Sequence, residues 1–167
     1  MSDEVKRLRC LRKRALRVRA LAVYLNAGPG GTPIYQRAAL VNWRIARIAT
    51  GKLRSHPYRN YQKDPGFFEN RMGLVSGYIK AALATVMGRG MRVLLQEMSS
   101  AARELDDARA LTLSAELSDA LGRAQAGMRS VIDDVRREVG GSAESPEQLR
   151  GRGTASPSLS ASPYLAL

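Results

Sequence analysis

An all-α fold is predicted for this 167-residue chain: a small helical bundle of four or five helices, with a long C-terminal helix and a disordered tail. Three observations predict it. Apolar residues recur at alternating spacings of three and four along most of residues 3–139, the period of one helix face. Aromatics make up only 5% of the chain while Ala, Leu and Arg are abundant, a mix that favours helix over sheet. Hydroxyl or acid caps followed by proline, and glycines at the far ends, bracket the periodic segments.

The first helix is expected over residues 3–26. Its seam is Leu8, Leu11, Ala15, Val18, Ala22 and Leu25, and Asp3 and Glu4 occupy the first turn, where the helix dipole favours acids. Its other faces carry Lys6, Arg7, Arg9, Arg12, Lys13, Arg14, Arg17 and Arg19. Gly28-Pro29-Gly30-Gly31 ends it. Thr32-Pro33 starts the second helix with a capping hydroxyl and a proline at the first helical position. That helix is expected to reach about Thr50, with Ile34, Ala38, Val41, Ile45 and Ile48 as its apolar stripe and Gly51 as its stop. Arg37, Arg44 and Arg47 share another of its faces.

Residues 51–66 contain Pro57 and Pro65 and read as a basic loop. Asp64-Pro65 then opens a third helix to Met87, with Phe68, Met72, Val75, Ile79, Ala82 and Val86 as its seam. Gly73 and Gly77, four apart, allow a close helix approach. Two further seams follow: Leu94, Met98, Ala101, Leu105 and Ala108, then Leu117, Leu121, Ala124, Met128, Val131 and Val135. Their phase slips around residues 111–114. The favoured reading is one helix with a stutter or a slight break, and two helices meeting there is the alternative. A continuous helix over residues 91–139 would span roughly 70 Å at 1.5 Å per residue, so it must fold back or find a partner. The seams are expected to pack on the third helix or to form a homo-oligomer through residues 91–139. Residues 140–167, rich in Ser, Gly, Pro and Ala, read as the disordered tail. The closing Ser-Pro-Tyr-Leu-Ala-Leu is taken as an unselected chain end in preference to a docking peptide.

Charge divides the chain differently from hydropathy. Residues 1–63 hold fifteen Lys and Arg against two acids, and residues 64–167 hold twelve against thirteen, so the whole net charge of +12 resides in the first segment. This gives three regions: a basic helical region over 1–63, a helical hairpin or bundle over 64–139, and the tail. Such asymmetry is expected of a contact with an acidic polymer or surface. The acids of the last helical segment, Asp107 and Asp134 among them, are too few to offset all fifteen cations. A membrane partner is not expected, since no apolar run approaches the roughly 20 residues of a spanning helix. Cys10 is the only cysteine, which excludes an internal disulfide and a cysteine-rich zinc site and fits a reducing cytoplasm.

The function expected from these features is non-enzymatic binding of DNA or RNA through the phosphate backbone. The candidate contacts are Arg12, Lys13 and Arg17 of the first helix, Arg44 and Arg47 of the second, and Lys52, Arg54, Tyr58, Arg59, Tyr61 and Lys63 of the basic loop. Lys and Arg neutralise phosphates, and the tyrosines either stack on unpaired bases or anchor the loop. Trp43, the single tryptophan, is expected to pack inside. Residues 41–61 hold an imperfect helix-turn-helix pattern, with its glycine displaced by one position and Pro57 inside the second helix. No cofactor and no metal are expected. His56 is the only histidine, which excludes a paired-histidine nuclease centre. Two alternatives remain: a helical structural or adaptor subunit of a larger assembly, and a small basic nuclease or toxin using His56 as general base.

Overall fold

The computed structural model describes residues 3–28, 30–55, 66–112 and 114–142, and these form five helices with no strand among them. In chain order they are α1 (Asp3–Ala27), α2 (Pro33–Ser55), α3 (Gly66–Val86), α4 (Gly90–Ala110) and α5 (Ala115–Ser142). The expected tail lies outside the described residues from position 143 onward, and α5 runs through Gly140-Gly141 to Ser142.

The most basic helix is also the central one. α1 packs against α2, α3 and α4, while α5 packs on α4 and α2. The predicted seam of α1 is buried throughout, and Leu21 and Ala20 are buried beside it, because a helix with three neighbours needs more than one apolar stripe. The start of α2 follows its sequence signal: the Thr32 hydroxyl accepts a hydrogen bond from the Ile34 backbone N–H at 3.1 Å. Gly51 does not stop this helix. α2 continues to Ser55 with Leu53 in the core, so there is no turn at residues 49–51 and the helix-turn-helix pattern is not a structural one.

Residues 91–139 do not form one long helix. The chain breaks at residues 111–114 and folds back, with the Ser114 hydroxyl accepting a hydrogen bond from the Leu117 backbone N–H at 3.3 Å as the cap of α5. The break lies where the two seams lose phase, so each helix turns its own stripe inward. Leu94, Met98, Ala101, Leu105 and Ala108 of α4 and Leu117, Leu121, Met128, Val131 and Val135 of α5 all lie in the core of this one chain. The apolar residues that suggested self-association through 91–139 are thereby used within the fold.

α3 differs most from expectation. It packs chiefly on α1 rather than on the last helices, and it does so with its small face. A Cβ on Gly77 would lie 2.3 Å from the Arg17 carbonyl oxygen and 2.9 Å from the Ala20 Cβ, and one on Gly73 would lie 2.9 Å from the Lys13 carbonyl oxygen. Only glycine permits that approach of two backbones. Ala81 and Ala84 continue the same buried face. Large residues of the predicted seam point the other way: Met72, Val75, Ile79 and Val86 are each more than half exposed, and the Phe68 side chain lies outside the described residues.

Candidate nucleic-acid interface

The cations of α1 are divided between the interior of the bundle and its surface. Arg12 is buried, at 5% exposure, and Arg17 turns onto Glu97 of α4. The Glu97 side chain is 4% exposed, and a carboxylate so far from water requires charged partners. It has three. Arg17 approaches it at 3.1 Å, Arg14 at 3.6 Å and Lys80 of α3 at 2.5 Å, so one acid ties α1, α3 and α4 together. Arg7 pairs with Asp107 at 3.4 Å, and Lys6 lies 4.0 Å from Asp3. Lys13 stays exposed, on the side of α1 that meets Gly73 of α3. Arg12 and Arg17 therefore do not belong to an open binding surface. Glu97 carried a readable signal, because it stands three residues after Leu94 and four before Ala101, inside the apolar stripe of α4. An acid in a buried stripe requires cations from the neighbouring helices.

α2 displays its charge. Arg44, Arg47 and Arg54 are exposed and recur at spacings of three and seven, so they lie along one face of the helix. Among the described residues no carboxylate pairs with Arg44 or Arg47. Lys52 is half-buried at the flank of this face. Arg37, one heptad before Arg44, is held by α5: it donates hydrogen bonds to the Asp134 carboxylate and, at 3.3 Å, to the Ser130 hydroxyl. That bond holds the Asp134 carboxyl below the ordinary carboxylate range, and the charges of Arg37 and Arg137 act in the same direction.

Trp43 is not in the core. It is 40% exposed beside Arg44, and the Arg19 guanidinium of α1 lies 4.3 Å from the centre of its ring. A cation over an aromatic face is a favourable contact, and it lets a large ring rest at the surface. Leu40 is exposed one turn earlier on the same helix. The outer surface of α2 thus combines arginines, an indole and a small apolar contribution.

His56, Tyr58, Arg59, Tyr61 and Lys63 lie outside the described residues. Lys52 and Arg54, expected in the loop, are placed on the last turns of α2 instead. No group of His, Cys, Asp and Glu suited to a metal ion occurs among the described residues, and no described helix is long and apolar enough to cross a membrane. No family model matches the chain, and neither does any curated protein or solved structure.

Proposed function

We propose that this protein binds nucleic acid without catalysis, through the exposed arginine face of α2. The observation that carries the reading is Arg44 and Arg47, exposed and without a carboxylate partner among the described residues, next to the surface-held Trp43 and Arg19 pair. Arginines three apart on an open face repel each other by a few tenths of a kcal/mol, and a row of phosphates relieves that repulsion. Trp43 and Arg19 offer planar groups on which an unpaired base stacks. Lys52, Arg54 and the basic segment after them, with Tyr58, Arg59, Tyr61 and Lys63, extend the same charge along the chain. A cytoplasmic setting fits the single, unpaired Cys10.

Trp43 is the only tryptophan, so its fluorescence reports on this face alone. Titration with a single-stranded oligonucleotide is expected to quench it saturably. The double substitution Arg44→Gln with Arg47→Gln should shift the midpoint to higher concentration. A signal that stays flat while the oligonucleotide demonstrably binds would place the contact elsewhere. A second reading, a helical subunit of a larger assembly, is favoured by the apolar outer face of α3 that no described residue covers.

A further inference from the structure

We infer that the outer face of α3 is an interface between two copies of this chain. Met72, Val75, Ile79, Leu83 and Val86 are spaced three, four, four and three apart, so they form one stripe along the helix. Their exposures are 63%, 51%, 55%, 60% and 75%. The stripe includes no charged residue. Arg71 lies to one side of it, and Lys80 lies to the other and reaches inward to Glu97. Tyr78 and Tyr24 of α1 extend the patch sideways, with their ring centres 6.3 Å apart and both residues exposed.

The opposite side of α3 shows that the stripe is not a helix docked in the wrong rotation. Gly73 and Gly77 bring the helix backbone onto α1 so closely that no side chain fits between them. Rotating α3 to bury Ile79 and Leu83 would drive those side chains into the backbone of α1. The large side chains are therefore held outside by the same contact that fixes the helix. A contiguous apolar patch of several hundred Å² on a single chain marks a contact surface.

The chemistry of the stripe selects a second copy as the occupant. A nucleic acid needs cations, and the stripe has none. Residues 143–167 offer few large apolar residues, chiefly Leu149, Leu159, Tyr164, Leu165 and Leu167, interspersed with Ser, Gly and Pro, and these do not match a continuous helical stripe. Two chains of net charge +12 repel each other wherever charged faces meet. An uncharged apolar face is where they meet with least repulsion, and it is self-complementary, as a two-fold interface requires. Complete coverage of the stripe and its tyrosine margin would bury on the order of 600 Å² per copy, or about 1,200 Å² in a pair, the lower bound of stable protein interfaces. This pairing does not rest on the nucleic-acid reading.

The test is the mass of the full chain in solution, measured by light scattering in high salt without nucleic acid. The wild type is expected at twice 18.2 kDa. Ile79→Glu with Leu83→Glu removes four apolar side chains from a two-fold contact, two from each copy, and should raise the dimer dissociation constant roughly ten-thousandfold, about tenfold for each. Its helical circular dichroism should match the wild type, because both sites are outside the core. Leu40→Glu, which changes the exposed apolar residue of α2, should leave the dimer intact. A wild type of single-chain mass at all concentrations overturns the inference. So does a dimer that Leu40→Glu dissociates and the α3 double variant does not. A single-chain wild type that sediments with phosphatidylserine vesicles, and loses this in the α3 variant, would assign the face to a lipid surface instead.

Discussion

Glu97 satisfies its buried charge with cations from α1 and α3, and in doing so fixes the positions of both helices relative to α4. Replacing it with Gln leaves Arg14, Arg17 and Lys80 clustered without a counter-charge. Because these three side chains retain some contact with water, the expected cost is about 2–4 kcal/mol, somewhat below that of breaking a fully buried pair. Urea unfolding of Glu97→Gln should show it as a lower midpoint with an unchanged slope. Asp134 behaves differently because its partner Arg37 is at the surface. Its lowered folded pKa contributes stability that is fully present above the unfolded carboxyl value of about 3.9 and is lost as pH falls through the folded value. Asp134→Asn should accordingly be less stable than wild type near neutral pH, and the two thermal midpoints should converge as the solution is acidified. Trp43 illustrates a residue whose place composition does not determine. Its size favours the interior, but its surface position depends on Arg19, a residue of another helix that the local pattern of α2 cannot contain.

At the scale of the helices, periodicity identified the helical segments and the buried faces of α1, α4 and α5, but it picked the outer face of α3. α3 has two stripes, one of large apolar residues and one of Gly73, Gly77, Ala81 and Ala84. A count of hydrophobic residues favours the first. Backbone approach selects the second, because α1 offers its own carbonyls at Lys13 and Arg17. Gly77→Ala tests this. Alanine improves intrinsic helix propensity by about 1 kcal/mol, and in an open helix the variant would be more stable. Here its methyl group meets a carbonyl oxygen, so a net destabilisation of roughly 1–3 kcal/mol is expected from overpacking, read by chemical denaturation. The turn between α4 and α5 was legible only as a loss of phase near residue 112. What decides it is the Ser114 cap together with the burial of both stripes in one core.

For the molecule as a whole, the location of the charge was legible and its display was not. The surplus of cations in residues 1–63 is a fact of composition, but the bundle places the most cation-dense helix at its centre. Arg12, Arg14 and Arg17 thereby become internal or pairing residues, while Arg44, Arg47 and Arg54 of α2 stay exposed. A local sequence pattern counts the cations of α1, and ranks the basic loop over residues 52–63 ahead of that helix as the contact. It has no means of counting how many neighbours that helix acquires. If the α2 face, rather than α1, meets the phosphates, as proposed, the salt dependence of nucleic-acid affinity separates wild type from Arg44→Gln with Arg47→Gln. Each phosphate contact contributes about 0.9 to the slope of log affinity against log salt on duplex DNA and about 0.7 on single strands. The double variant is expected to lose between roughly one and two contacts' worth of slope while retaining its thermal midpoint. A variant with the wild-type slope and wild-type affinity would contradict the assignment.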